Sequence, residues 1–314
     1  GTYTETLVLA PDVVVLGSGA ATTTLDSGGA APAVEFADRA TFAGFRVTGV
    51  TQWGNAVQGG DVTDAVLRDN EISGNEARAV AFGGSTGIIQ RNRIAANPTF
   101  TGPPTHCPCD GVVLSRSAMS LIENEIDGND PNGNVRAVEI TQATPSWPGP
   151  VRIERNEIVG RIWFSSVTAP PAGEHRVQGN LILSGNGFTE AINVAFSPGA
   201  GLVANNTIIG GGGIFLQGGS IARIIGNVVA FGSDGIVGHT SGLEISHNAV
   251  YGNYRNWGEP DLTGIDGNVS VDPAFVDRPG GDFRLSPYSP ILDAGPPAPD
   301  DPGAFDFTGA PRIV

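Results

Sequence analysis

The chain has 314 residues and a formal net charge of −15, and all 17 of its basic Lys-or-Arg positions are Arg. So acidic a chain repels nucleic acid phosphates and anionic lipid surfaces, which disfavours both as partners. No run of apolar residues approaches the roughly 18 that a membrane-spanning helix needs, so no membrane insertion is expected. With Gly at 46 and Pro at 23 positions, the composition predicts an all-β fold of short strands and many turns.

From residue 45 onward, a short pattern of the form apolar-x-x-Asn-x-apolar recurs along the chain. Phe45 fills the Asn position in the first copy, TFAGFRV, and the spacings that follow are 25, 22, 32, 32, 24, 26, 21, 21 and 20 residues. A period near 22 with occasional insertions is typical of a solenoid. The Asn residues that carry the pattern are Asn70, Asn92, Asn124, Asn156, Asn180, Asn206, Asn227, Asn248 and Asn268.

Each repeat unit contains three short apolar alternations, such as VLRDN, EISGN and AVAFGG, separated by Gly, Asn or Asp. This predicts three strands per coil. Helical spacing is not sustained anywhere, which argues against leucine-rich, tetratricopeptide and ankyrin solenoids. About ten coils of stacked parallel strands are therefore expected, in a rod on the order of 50 Å long. The Asn of each coil is expected to adopt a left-handed backbone conformation and to bond its side-chain amide to the same amide one coil away, forming an Asn ladder.

Together these motifs resemble the right-handed parallel β-helix superfamily, the pectate lyase-like architecture also found in many bacterial surface proteins. The resemblance extends from Val34 to Val271 through the repeat. It implies a single-stranded right-handed parallel β-helix over residues 1–271 and a secreted or surface-exposed bacterial protein. GTYTETLVL and VVVLGSG resemble the entry coil of that superfamily, which another strand normally precedes, so the native start is expected just before Gly1.

The end of the chain, VDPAFVDRPGGDFRLSPYSPILDAG followed by DPGAFDFTGAPR, resembles the closing segment of secreted bacterial β-helix proteins. Residues 272–314 are therefore expected to cap the last coil, packed on the same domain. Such a cap would cover strand edges that otherwise present unpaired N–H and C=O groups to other chains.

The third strand of each unit has a phase that separates core residues from outward ones, because side chains alternate along a strand. In GVVLS, AVEIT, RIWFS, AINVA and GIFLQ, the apolar partners point inward. The outward positions on four successive coils are Glu139, Trp163, Asn193 and Phe215, which we call the third-strand strip, with neighbours roughly 5 Å apart.

Sugar recognition is one interpretation of the third-strand strip. Aromatic faces stack on sugar rings, while carboxylate and amide groups hydrogen-bond to hydroxyls, and Gln217 lies two residues after Phe215. The strip therefore predicts binding of an extended, acidic polysaccharide. The alternative is that the exposed aromatics stack on one another and only stiffen the sheet.

The two 32-residue intervals place extra residues beside the strip, and insertions in a solenoid commonly form loops on its binding face. These loops are expected to bring His106, Asp110, Arg136 and Trp147 toward Glu139. Trp147 would add a further stacking surface for sugar.

Three chemical roles follow from this set. A polysaccharide lyase needs a base and a cation that neutralises the uronate carboxylate, for which Arg136, Arg161 and His106 are the candidates. A bound Ca²⁺ would take oxygen ligands from Asp110, Asp130 and Glu139. A glycoside hydrolase would instead pair two carboxylates, Asp110 with Glu139.

Several motifs of named relatives are missing from the chain. The Asn-Thr-Asp, Gly-His-Gly and Arg-Ile-Lys steps of polygalacturonases, the Arg-x-Pro-x-x-Arg motif of pectate lyases and the Asp-Pro-His of alginate epimerases do not occur. A non-catalytic surface or structural module, an adhesin or spacer, is therefore the competing hypothesis.

For Cys107 and Cys109, beside His106, a disulfide, free thiols and a metal site stay open. The other three histidines are predicted to lie on the surface: His175, His239 and His247.

Overall fold

The computed structural model describes residues 1–95, 97, 111–128, 136–141, 149–165, 173–185, 190–195, 201–218 and 222–296. Within them the chain forms no helix and 34 short strands. The first are β1 (Thr2–Thr4), β2 (Leu7–Val8), β3 (Val14–Leu16), β4 (Thr24–Gly29), β5 (Val34–Glu35), β6 (Thr41–Ala43), β7 (Arg46–Val50), β8 (Asn55–Gly60), β9 (Ala65–Arg68), β10 (Glu71–Ile72), β11 (Arg78–Gly83) and β12 (Thr86–Gln90).

The middle of the chain continues with β13 (Arg93–Ile94), β14 (Val112–Ser115), β15 (Ala118–Ile122), β16 (Glu125–Asp127), β17 (Val138–Thr141), β18 (Arg152–Glu154), β19 (Glu157–Val159), β20 (Ile162–Ser165), β21 (His175–Gln178), β22 (Leu181–Leu183), β23 (Ile192–Val194), β24 (Gly201–Ala204) and β25 (Thr207–Ile209). The last strands are β26 (Ile214–Leu216), β27 (Ala222–Ile225), β28 (Val228–Ala230), β29 (Asp234–Gly238), β30 (Glu244–Ser246), β31 (Ala249–Tyr251), β32 (Arg255–Trp257), β33 (Phe275–Asp277) and β34 (Asp282–Leu285).

Every strand up to β32 pairs with the strand three places away in the chain, always in parallel. Sheet A runs from β1 through β4 and β7 to β31, sheet B from β2 through β5 and β8 to β32, and sheet C from β3 through β6 and β9 to β30, with 11, 11 and 10 described strands. The predicted all-β parallel β-helix is confirmed. Its right-handed winding, the general preference of parallel crossovers, stays a prediction.

The core is built from equivalent side chains stacked one coil above another. In sheet A, Ile126, Ile158, Ile182 and Ile208 lie in register on successive coils and have no exposed surface. Burying each such side chain stabilises the fold by about 2 kcal/mol, and β-branched residues suit a pleated surface. In sheet B, the apolar residues predicted to point inward are likewise buried, whereas Gly238, also predicted to point inward, is exposed. The buried ones are Val112, Leu114, Val138, Ile140, Ile162, Phe164, Ile192, Val194, Ile214, Leu216 and Ile236.

The Asn ladder is confirmed at the corner between sheets C and A. The Asn156 Nδ2 donates to the Asn180 Oδ1 at 3.0 Å, and the equivalent amide–amide bonds along the ladder measure 2.9 to 3.1 Å. Each Asn backbone N–H also donates to the next Oδ1, as Asn124 does to Asn156 at 2.9 Å. The Phe45 N–H donates to the Asn70 Oδ1 at 3.0 Å, which confirms that Phe45 precedes the first rung.

The left-handed residue of the corner differs from the prediction by one position. None of the nine ladder Asn has a positive φ, whereas the residue before each has a φ from 51° to 76°. The chain turns the corner from sheet C to sheet A at that residue, and the Asn that follows is buried. The left-handed residues are Asp69, Arg91, Glu123, Arg155, Gly179, Asn205, Gly226, His247 and Gly267.

Charged side chains occupy four successive left-handed corners, with signs that alternate. The Arg91 guanidinium contacts the Asp69 carboxylate at 2.7 Å, and the Arg155 guanidinium contacts that of Glu123 at 2.9 Å. These hydrogen bonds lower the pKa of the Asp69 and Glu123 carboxyl groups. A left-handed conformation costs a residue with a Cβ roughly 1–2 kcal/mol, and the ion pairs between coils partly offset it.

At the C-terminal end, Trp257 is buried and Leu262 packs against the core, while the Trp257 Nε1 donates to the Ser270 Oγ at 3.0 Å. The hairpin of β33 and β34 contacts the side of the coil, where the Phe275 ring centroid lies 6.4 Å from that of Phe231. A capping role for residues 272–314 stays a prediction, because the structure describes that segment only as far as residue 296.

Candidate functional site

The four residues of the third-strand strip lie in one column on the outer face of sheet B. Glu139 of β17 pairs in register with Trp163 of β20, Trp163 pairs with Asn193 of β23, and Asn193 pairs with Phe215 of β26. Their side chains point away from the core because the flanking inward residues are fully buried. The strand phase read from the sequence therefore places these four side chains together.

Accessibility alternates along the third-strand strip, which the sequence did not predict. Phe215 is 37% exposed and Trp163 is partly exposed, but Glu139 is only 8% and Asn193 only 2% exposed. Asn193 lies between two large aromatic side chains in register, and Glu139 lies beside Trp163. The strip therefore offers an aromatic surface on every second coil. The polar side chains of the coils between them, Glu139 and Asn193, are accessible to a ligand only at their edges.

Two ion pairs flank Trp163, and we call their four residues the Arg–Glu cluster. Arg136 pairs with Glu139, and the Arg161 Nη1 lies 3.5 Å from the Glu190 Oε1. All four side chains are largely buried. Buried charges persist when each is paired, so the cluster holds two guanidinium groups in fixed positions.

Both guanidinium groups of the Arg–Glu cluster also contact the indole of Trp163. The Arg136 Cζ lies 4.9 Å and the Arg161 Cζ 5.0 Å from the ring centroid. A contact of this kind contributes about 0.5–2 kcal/mol. Trp163 is therefore a positioned side chain rather than a mobile surface residue.

Glu190 was missed by the sequence analysis, although a signal for it exists. It stands two residues before Ile192, just as Arg136 stands two residues before Val138. Aligning the repeat units on their third strands would have placed a charged residue at this position in both coils.

Uncharged polar groups line the strip on its other side. Ser115, Thr141 and Ser165 lie in register on three successive coils, and we call them the hydroxyl column. The Ser115 Oγ and the Thr141 Oγ1 are 2.8 Å apart. Next to Phe215, the Gln217 Nε2 donates to the Asn193 Oδ1 at 3.0 Å. The sequence analysis did not identify the hydroxyl column as part of a site.

Comparison with protein families, curated proteins and solved structures gives no significant match. The parallel β-helix is therefore shown by the strand pairing of this chain alone. In the described part of the chain there is no helix long and apolar enough to cross a membrane.

Four predicted site residues fall outside the described residues: His106, Asp110, Asp130 and Trp147. Cys107 and Cys109 do as well. Among the residues that are described, no group of three or more His, Cys, Asp or Glu is placed to hold a metal ion. Glu139 is already engaged by Arg136, which fits a calcium ligand poorly. The Ca²⁺ site therefore stays a prediction that depends on Asp110 and Asp130.

One predicted surface histidine lies in the interior. His175 has no exposed surface, and its Nδ1 accepts a hydrogen bond from the Val151 N–H at 3.1 Å. The prediction of a surface position was wrong because His175 opens β21, where the chain turns a side chain inward. His239 is exposed and His247 partly exposed, as expected.

Proposed function

We propose that the outer face of sheet B binds an extended polysaccharide along the solenoid axis. The observation that carries the proposal is the pair of accessible aromatic side chains, Trp163 and Phe215, in one column two coils apart. Two coils correspond to roughly 10 Å. A polymer lying along the axis would therefore meet an aromatic surface at a regular interval.

The polar groups beside the aromatics supply hydrogen bonds to sugar hydroxyls. Gln217 donates to Asn193 and keeps its remaining amide positions for a ligand. The hydroxyl column can both donate and accept. Aromatic platforms with a small number of placed polar groups are the usual composition of a sugar site.

Cleavage of the polymer is a further part of the sequence-based hypothesis. Arg136 and Arg161, each held by a carboxylate, stay cationic and suit charge stabilisation rather than proton abstraction. In a lyase, His106 would then have to act as the base. In a glycoside hydrolase, Asp110 and Glu139 would instead form the pair of catalytic carboxylates. The direct assay is the ultraviolet absorbance of an unsaturated uronate product, or the release of reducing ends, from a panel of polysaccharides.

Binding is tested by affinity electrophoresis and titration calorimetry with the same panel. Phe215→Ala is the cleanest variant, because Phe215 is exposed and its loss should leave the fold intact. We expect about tenfold weaker binding, the size of a lost aromatic contact. Tyr254→Ala is the matched control, since Tyr254 is 97% exposed just before β32, two coils beyond Phe215 and outside the third-strand strip. Equal affinity of the Phe215 variant and the wild type for a bound polymer would show that the strip is not the site.

A structural module is the second candidate, favoured by the internal pairing of the Arg–Glu cluster. The Arg161–Glu190 pair, which joins two successive coils, would stiffen a rod without any ligand. Failure of every polymer in the panel to bind, with intact folding, would support this candidate instead.

A further inference from the structure

We infer that the polymer bound at the third-strand strip is uncharged, a conclusion that rests on the proposed function. Both arginines of the Arg–Glu cluster are already paired with a carboxylate, Arg136 with Glu139 and Arg161 with Glu190. The Arg–Glu cluster therefore sums to zero charge. It presents no unbalanced cation to a uronate carboxylate, contrary to the acidic polymer expected from the sequence.

Recruiting either guanidinium to an acidic ligand would carry a penalty. The arginine would have to leave a carboxylate that is about nine-tenths buried, and an unpaired buried charge is strongly unfavourable. With each guanidinium paired to a carboxylate, the cluster offers no net attraction to a uronate placed over Trp163. A sugar hydroxyl has neither problem, because it can hydrogen-bond to a paired carboxylate or guanidinium without displacing its partner.

The overall charge of the chain also disfavours an acidic polymer. The net charge is −15, so an anionic polymer is repelled as it approaches. At least twelve of the 17 arginines have a carboxylate partner, and these are Arg39, Arg46, Arg68, Arg91, Arg93, Arg136, Arg155, Arg161, Arg176, Arg223, Arg255 and Arg284.

Among the described residues of the third-strand strip and the hydroxyl column, the side chains outside the Arg–Glu cluster are neutral. Phe215 presents an apolar ring, Gln217 an amide, and the hydroxyl column three hydroxyl groups in register. Aromatic rings pack against the C–H faces of sugars, and amides and hydroxyls match sugar hydroxyls. This combination recognises a neutral glycan by shape and hydroxyl pattern.

Matched polymer pairs separate the inference from the proposed function. The pairs are mannan and mannuronan, glucan and glucuronan with the same linkage, and methyl-esterified and de-esterified polygalacturonate. Within each pair the acidic member carries a carboxylate at carbon six, where the neutral member carries a hydroxymethyl group or a methyl ester. Binding is measured for the wild type and for Phe215→Ala at low and high salt. We expect the neutral member to bind about tenfold more tightly, with an affinity that salt leaves unchanged.

Tighter binding of the acidic members, weakened by salt and still reduced by Phe215→Ala, would overturn the inference and leave the proposed function standing. Absence of binding to either member of every pair would overturn both.

A charge variant supplies an independent test. Glu190→Gln leaves Arg161 without its carboxylate, so it should raise the affinity for the acidic member of a pair several-fold and leave the neutral member unchanged. Glu259→Gln, in a loop outside the strip, is the control. Thermal unfolding checks that both variants are folded. Unchanged selectivity in a folded Glu190→Gln protein would contradict the inference.

Discussion

The Asn ladder and the third-strand strip are both columns of polar side chains that run along the same coils, yet they are built on opposite rules. Nine coils of the ladder carry the same residue, joined by bonds of nearly constant length. No two neighbouring coils of the strip carry the same residue. Each corner of the ladder has the same backbone groups that need hydrogen-bond partners, so a residue that repeats there has a structural role. The coil itself does not require the residues of the strip, and variation there is what a ligand site needs.

Burial separates the two columns further. The ladder amides are almost wholly buried and bond to backbone and to each other. The strip alternates accessible rings with buried polar groups. A buried polar group costs free energy unless all its hydrogen bonds are made. The ladder therefore contributes mainly to stability, and the accessible members of the strip contribute little to it.

Asn156→Ala should have the largest effect. It removes donations to the Leu121 carbonyl at 2.9 Å and to Asn180, and it leaves the Asn124 amide groups without their acceptor. Several orphaned buried groups at about 1–3 kcal/mol each predict a loss of about 3–5 kcal/mol in the free energy of unfolding. Urea denaturation measures it.

The matched comparison is Asn193→Ala, which removes an equally buried amide from the strip. Asn193 accepts one hydrogen bond, from Gln217, so Asn193→Ala should lower the free energy of unfolding by about 1 kcal/mol. Equal losses in the two variants would remove the distinction between scaffold and strip.

Glu139→Gln should have the next largest effect. It leaves the largely buried Arg136 guanidinium without its counter-charge, and breaking such a pair on one side costs about 3 kcal/mol. The double variant Glu139→Gln/Arg136→Gln removes both charges and should recover most of that loss. The measurement is a double-mutant cycle by urea denaturation. Losses that simply add would show that the two residues are not energetically coupled.

The repeat allowed the fold to be predicted from the sequence because each coil buries the same side chains and satisfies the same backbone groups. Ile126 and Ile158, in nearly identical phrases 32 residues apart, stack in register as expected. The left-handed corner was misplaced by one residue because Asn tolerates that conformation better than Glu or Arg. Arg155 and Glu123 adopt it nonetheless, since their charges pair between coils.

The candidate site was only partly predictable. Strand phase placed Glu139 and Trp163 side by side, because alternation within a strand is a local property. The burial of Asn193 and the pairing of Glu190 depend on neighbours in other coils, at spacings that vary with the insertions. Such contacts between coils become visible only once the register is known.

Acid should destabilise the charged corners by a smaller amount. Hydrogen bonds from Arg155 lower the pKa of Glu123 below its ordinary value of 4.5. Because the folded-state pKa is depressed, the stabilisation is complete above about pH 4.5 and is lost as the pH falls through the lowered pKa. The half-exposed position and solvent screening limit it to about 0.5 kcal/mol.

Glu123→Gln is therefore expected to lower the free energy of unfolding slightly at neutral pH. Below pH 4.5, the free energy of unfolding of this variant should fall less steeply with decreasing pH than that of the wild type, as measured by urea denaturation. Glu259→Gln, which removes an exposed carboxylate beyond the last coil, is the control. A decline as steep in the Glu123 variant as in the wild type would show that this corner carries no pH-linked stability.

The smallest effect is expected at the hairpin of β33 and β34, outside the coils. Hydrogen bonds from Arg284 lower the pKa of Asp282 to about 2. The pair is exposed to solvent, so screening leaves the ionised pair with little influence on unfolding. Carbon NMR of the carboxyl group should follow the titration to about pH 2, and Arg284→Gln should return the pKa toward 3.8. The unfolding midpoint of that variant should change little, because Asp282 and Arg284 lie two residues apart and can form the same pair in the unfolded chain, so that the lowered pKa is largely shared by both states. A large change in midpoint would mean that the hairpin supports the coil through this pair, rather than through the contact between Phe275 and Phe231.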